Sequence, residues 1–155
     1  MPVQKLKAFL DQNGVKYVSI QHSPAYTAAQ VAESAHIPGM ELAKTVMVKV
    51  GGGMAMAVVP ASHRVDLDRL AEFAGDAVQL ASEEDFAALF PNCDTGAMPP
   101  FGNLYDMTVY VADALSEDAE IAFTAGSHAE VIRLLYADYE QLVEPEIGTF
   151  SYRYP

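Results

Sequence analysis

Apolar residues recur at helical spacing from the start of the chain. Val3, Leu6, Phe9 and Leu10 form one stripe, and Gly14 stands where a left-handed C-terminal cap is wanted, so the pattern predicts a helix over residues 3–13. Tyr17-Val18-Ser19-Ile20 then alternates like a strand. Thr27-Ala28-Ala29-Gln30 has capping-box spacing ahead of Val31, Ala32 and Ala35, which predicts a second helix ending near Pro38-Gly39. Between Ala43 and Pro60 lie two apolar segments split by Gly51-Gly52-Gly53, the composition of a hairpin whose turn needs positive φ.

Further on, Asp66 to Gly75 reads as a short capped helix and Val78-Gln79-Leu80 as a short strand. Ser82-Glu83-Glu84-Asp85 starts an acid-rich helix that ends at Pro91. Residues 94–106 hold too much Gly and Pro for a regular element and form a loop. Met107 to Val111 and Ile121 to Phe123 read as strands. Ser127-His128-Ala129-Glu130 again has capping-box spacing, before Val131, Ile132, Leu134 and Leu135, and predicts a helix, with Asp138 capping a last helical turn. Phe150 to Tyr154 alternates aromatic and polar residues as an edge strand does. Strands come singly, in a hairpin and in succession between helices, with no repeat, so the expected fold is mixed α+β around one sheet. The expected organisation is a single domain over residues 1–155.

Composition narrows the chemistry. The chain has 155 residues, about half of them apolar, enough for one core without metal or disulfide support. Neither a signal-peptide pattern nor an apolar run near 18 residues is present, so a soluble cytoplasmic protein is expected, with no membrane partner. Cys93 is the single cysteine, which excludes an internal disulfide, a cysteine zinc site and a CxxC pair, and it reads as an inert small hydrophobe. His22, His36 and His63 lack HxH or HExxH spacing, and Asp66-Leu67-Asp68 is explained by acidic residues opening a helix, so no metal and no other cofactor is expected. A P-loop, a dinucleotide fingerprint and a GxSxG elbow are all missing. Nine Lys+Arg against 21 Asp+Glu give a net charge of −12, which repels a polyanion at long range; any nucleic-acid contact is therefore local or helped by a partner.

Three places remain where chemistry can be built. On the segment Ala43–Val50, Lys44 shares a face with Val46, Val48 and Val50. Its ammonium either snorkels to water from the strand end or enters a partly dry pocket, where it would hold a carbonyl, phosphate or carboxylate. The loop Gly96-Ala97-Met98-Pro99-Pro100-Phe101-Gly102 is either an ordinary connection or a bare backbone whose amides approach a ligand. In Gly126-Ser127-His128 the serine is explained by capping, while His128 offers a hydrogen-bond donor or proton relay near neutral pH.

Lys44-Thr45 opening a strand, the Gly96–Gly102 loop, and Glu120-Ile121-Ala122-Phe123 leading into Ala125-Gly126-Ser127-His128 resemble, in that order, the YbaK/prolyl-tRNA editing family. The resemblance extends from the first helix through Tyr136-Ala137-Asp138. It implies a compact α+β domain with a mixed, partly barrel-like sheet flanked by helices. It also implies a metal-free trans-editing hydrolase that deacylates mischarged tRNA, typically tRNA for proline carrying alanine or cysteine. By that resemblance the catalytic set is Lys44, Gly96, Pro100 and His128. Tyr26, Thr45, Ala97, Met98, Gly102, Gly126 and Ser127 surround the substrate. The implied partner is the acceptor end of mischarged tRNA, not DNA, with a synthetase or elongation factor as a further delivery partner. If tRNA is the ligand, the basic residues near Lys5, Lys7, Lys16, Arg64 and Arg69 are expected to supply the contact, with strong salt dependence. Two alternatives stay open at this point: a non-catalytic module binding a tRNA end or a synthetase, and a small-molecule esterase or amidase.

Overall fold

The computed structural model describes residues 2–91, 93–94 and 97–153. The opening stripe folds as helix α1 (Pro2–Gln12), and the first strand is β1 (Tyr17–Gln21). Helix α2 (Ala28–Ser34) begins at the predicted capping box: Thr27 Oγ1 accepts the Gln30 amide at 3.1 Å, and the Gln30 side chain accepts the Thr27 amide in return at 3.3 Å. Strands β2 (Leu42–Val50) and β3 (Gly53–Pro60) form the predicted hairpin. Gly51 (φ 58°) and Gly52 (φ 88°) make its two-residue turn.

After β4 (His63–Val65), helix α3 (Leu67–Ala74) is capped by the Asp66 carboxylate, which accepts the Arg69 amide at 3.1 Å. Strand β5 (Val78–Leu80) and the short helix α4 (Glu83–Phe86), continued by a 3₁₀ turn over Ala87–Leu89, follow as the acidic pattern predicts. The Gly- and Pro-rich loop contains one 3₁₀ turn, Gly102–Tyr105, before β6 (Thr108–Ala112), α5 (Asp113–Ser116) and β7 (Glu120–Thr124). The chain closes with β8 (Glu130–Leu135), α6 (Tyr136–Val143), β9 (Glu146–Gly148) and β10 (Ser151–Arg153).

Two predictions fail here. Residues 130–135 form a strand, not a helix, and the serine that reads as a helix cap sits in the β7–β8 turn. Strand β8 lies between β1 and β7 and is covered on both faces. Val131 packs with one cluster while Ile132 and Leu134 pack with another, so the polar-apolar alternation that marks a half-exposed strand is missing. Asp138 does not cap a helix either, because α6 starts at Tyr136 and places Asp138 inside its first turn.

The main sheet has the order β1-β8-β7-β2-β3-β6-β9, with parallel contacts at β7–β2, β3–β6 and β6–β9 and antiparallel contacts elsewhere. It is the mixed α+β architecture that the sequence implies. One face carries Met47, Met56, Val111, Phe123 and Ile132 and is covered by α1, α6 and the Met98–Phe101 segment. On the other face two separate clusters form. Helix α2 covers Leu42, Ala122 and Val131, and Leu70 of α3 with Phe150 covers Val48, Ala57, Val59 and Tyr110. Lys44, on that second face of β2, falls between the α2 cluster and the α3 cluster. A two-stranded ribbon of β4 and β10, built from the predicted C-terminal edge strand, stands beside it.

Candidate functional site

The site originates in a split of the sheet. On one edge β2 pairs along its length with β3, but on the other it changes partner. Parallel pairing with β7 ends at Ala43↔Phe123, and antiparallel pairing with β5 begins at Val48↔Leu80. Residues 44–47 therefore have no strand partner on that edge among the described residues. Glu41 O accepts the Ala122 amide on this edge, and Met47 O accepts the Ala81 amide at 3.0 Å. Residues two apart along a strand point their backbone groups the same way, so the Thr45 amide and carbonyl face the gap.

A cleft of about 260 Å³ opens at this split. Leu42 to Val46 of β2 form one wall, Thr27, Ala28 and Val31 of the α2 region another, and Thr124, Tyr26 and His128 the rest. Lys44, half-buried, donates from Nζ to the carbonyl of His63 at 2.7 Å, a residue outside the lining of the cleft. The ammonium is therefore held by a backbone carbonyl of the β4 strand, while the Lys44 residue lines the cleft.

Tyr26 and His128 come together by an extension of the β1–β8 ladder. His22 donates its amide to Ala129 O at 2.9 Å and Ala25 donates to His128 O at 3.1 Å, carrying the chain past β1 so that the Tyr26 and His128 rings meet with centroids 5.2 Å apart. Tyr26 is 73% exposed, so one face of its ring is available to a ligand. Ser127 makes a local turn in which its Oγ accepts the Ala129 amide at 3.3 Å. Gly126, at φ 97°, adopts a conformation that a side chain would strain. That turn staples the Gly- and Pro-rich loop in place: Gly126 N donates to Ala97 O at 2.9 Å, Asp94 N donates to Gly126 O at 2.9 Å, and the His128 amide donates to the Asp94 carboxylate at 3.1 Å.

Gly96 lies outside the described residues. The other loop positions have structural duties. Ala97 and Met98 are buried, Met98 in the main core, and the Ala97 amide donates to Asp94 O at 3.0 Å. Pro99 and Pro100 carry no N–H, and Pro100 uses its carbonyl to accept the Tyr139 hydroxyl at 2.7 Å. Among the described loop residues, the Phe101 amide is also used internally, donating to Pro99 O at 2.8 Å. Gly102 is buried against Met107 and Val109, where a Cβ would meet Val109 Cγ2 at 2.6 Å.

The structure thus brings Tyr26, Lys44, Thr45 and His128 to one cleft, sets Ser127 in an adjoining hollow that Tyr26 and His128 also line, ties Gly126 to Ala97, and leaves the Met98 side chain and Gly102 in the core. Sequence reasoning gave no role to Thr124, Val31 or Asp94. Thr124 could be found as the residue following the Ile121–Phe123 strand, two positions before Gly126. Of the cations expected to meet nucleic acid, Lys7 is paired with Glu130 at 2.9 Å, Arg69 with Asp66 at 3.6 Å, and Lys5 lies over the Tyr105 ring. Among the described residues no group of three or more His, Cys, Asp or Glu side chains is placed to hold a metal ion, and no helix is long and apolar enough to cross a membrane.

Comparison with known proteins adds an independent line. A prolyl-tRNA editing protein, ProX, of Acetoanaerobium sticklandii is 25% identical over 155 residues, covering 96% of this chain and 94% of that protein. Among solved structures, a candidate trans-editing enzyme for prolyl tRNA synthetase superposes with a TM-score of 0.82 at 18% identity, over 97% of each chain. A hypothetical protein superposes at 0.85 with 19% identity, over 96% of this chain and 99% of the other. The model of the aminoacyl-tRNA editing domain matches residues 22–142, which takes in every residue of the cleft. By that match the chain belongs to the aminoacyl-tRNA editing domain family.

Proposed function

We propose that this protein hydrolyses the ester linking a wrongly attached small amino acid to the 3′ end of tRNA, with tRNA for proline carrying alanine or cysteine as the substrate class. The observation that carries the reading is the place of Lys44, half-buried at the one stretch of β2 where the sheet edge is open, in a chain of the editing family. The ProX relative, a prolyl-tRNA editing protein, supports the choice of substrate.

A site for proline cannot reject the smaller alanine by more than about 1–3 kcal/mol, so accuracy calls for a second, smaller site that removes what slips through. The apolar part of the cleft, Val31, Leu42, Ala43 and Val46, suits a small side chain. Lys44 anchors the substrate and stabilises negative charge developing on the ester oxygen, an interaction strengthened by partial burial. In this reading a backbone amide of the Gly- and Pro-rich loop supplies a second donor. Tyr26 and His128 bound the mouth, and Thr45 presents backbone groups to the aminoacyl end. An aminoacyl ester is already labile, so a positioned water, activated with help from the neighbouring ribose hydroxyl, completes the reaction without a Ser-His-Asp triad.

The test is a deacylation assay across alanyl-, cysteinyl-, seryl- and prolyl-tRNA. The proposal expects hydrolysis of alanyl- or cysteinyl-tRNA and sparing of correctly charged prolyl-tRNA. Esters left intact at high protein concentration would instead favour a non-catalytic module. Free aminoacyl esters cleaved as fast as the tRNA ester would favour a small-molecule esterase.

A further inference from the structure

The cleft accounts for the ester but leaves the rest of the nucleotide unassigned, and the β4–β10 ribbon supplies what is missing. Its register places Arg153 opposite His63 and Ser151 opposite Val65, so these four side chains share one ribbon face. His63 Nδ1 lies 2.9 Å from Ser151 Oγ across that face, and the His63 carbonyl receives Lys44 Nζ. Two cations, Arg153 and Lys44, thus act on one imidazole at the edge of the catalytic cleft. Arg153 is exposed and has no carboxylate partner among the described residues, unlike Lys7, Lys49, Arg69 and Arg133, each of which is ion-paired. In a chain of net charge −12, two cations thus act on the His63 imidazole against one carboxylate, Asp113.

We infer that Arg153 and His63 form a phosphate subsite that receives the phosphodiester immediately preceding the esterified nucleoside, while Lys44 engages the ester. The inference rests on the editing function proposed above, since it is that substrate which presents a phosphate one nucleoside away from the ester. Arg153 supplies a planar donor fork suited to phosphate oxygens, and the imidazole a second donor when protonated. Burial first, then the Arg153 guanidinium and the Lys44 ammonium, holds His63 below the usual imidazole range, with Asp113 opposing. Asp113 is itself engaged, accepting the Thr149 hydroxyl at 2.7 Å. A bound phosphate places negative charge against the cations and moves the His63 titration upward.

The experiment compares adenosine 5′-monophosphate with adenosine on the full chain, by calorimetry and by the His63 ring resonances. The subsite predicts that the monophosphate binds about tenfold more tightly than adenosine. In Arg153→Gln this ratio falls toward one, and in the unmutated protein the His63 midpoint rises when the monophosphate is bound. Equal affinity for the two probes, a preference that survives Arg153→Gln, or an unmoved His63 titration would each overturn it. The probe carries no ester, so the result separates from turnover. Absent phosphate preference with deacylation intact removes the ribbon site alone, whereas phosphate preference with no aminoacyl-tRNA cleaved removes the hydrolase and leaves the subsite.

Discussion

At the scale of single residues, burial decides which side chains act. Cys93 is half-buried, and burial together with the Asp94 carboxylate pushes its thiol up to about 11. At pH 8 almost none of it is thiolate, so alkylation by iodoacetamide is expected to be far slower than that of a free cysteine thiol; labelling at the free-thiol rate would contradict the placement. Gly102 earns its place by packing. A methyl group there would meet Val109 Cγ2 at 2.6 Å and Met107 O at 2.8 Å. Gly102→Ala should therefore destabilise the fold by about 1–3 kcal/mol, read by urea denaturation. The sequence places this glycine beside a substrate, whereas in the structure it is glycine because of a contact with Met107 and Val109 that no local pattern reveals.

At the scale of elements, the readable parts were those with one wet face or a chemical signature. The capping box at Thr27, the triglycine hairpin and the capped helix at Asp66 are formed as predicted, because local hydrogen bonds and turn chemistry specify them. Strand β8 escapes the pattern because Val131, Ile132 and Leu134 bury apolar groups on both its faces, which removes the period that separates strand from helix, and Ser127-x-x-Glu130 imitates a cap. The open edge of β2 was also invisible, since it depends on β7 and β5 diverging from a strand remote from both in sequence. Lys44, by contrast, was legible as a cation on an apolar face. Asp94, which joins the loop to the His128 amide, was not. Asp94→Ala should free that turn and cost about 1 kcal/mol of transition-state stabilisation, several-fold in kcat/KM, with the circular dichroism spectrum unchanged. No kinetic effect would show that the staple is irrelevant to the site.

At the scale of the whole molecule, the excess of carboxylates governs pH and salt behaviour. Asp118 Oδ2 is buried without a hydrogen-bond partner, and burial, then Glu41 and Glu117, raises this carboxyl to about 6. A carboxyl raised above its unfolded value favours the fold while protonated, and that contribution is lost as pH rises from about 4 through 6. Asp118→Asn should therefore stabilise the protein at pH 8 by about 1 kcal/mol after solvent screening, and give no gain at pH 4, as thermal unfolding at the two values will show. Salt acts in two directions on a chain of charge −12: it screens the long-range repulsion of tRNA and weakens contacts at the few unneutralised cations.

The account as a whole depends on Lys44 acting on an ester held at the open edge of β2. Its most direct test is single-turnover hydrolysis of mischarged alanyl-tRNA by the unmutated protein and by Lys44→Ala, with thermal unfolding run on both. The account predicts hydrolysis by the first, a loss of about 100-fold or more in the second, and closely similar folding. Undiminished hydrolysis by a folded Lys44→Ala protein would contradict it.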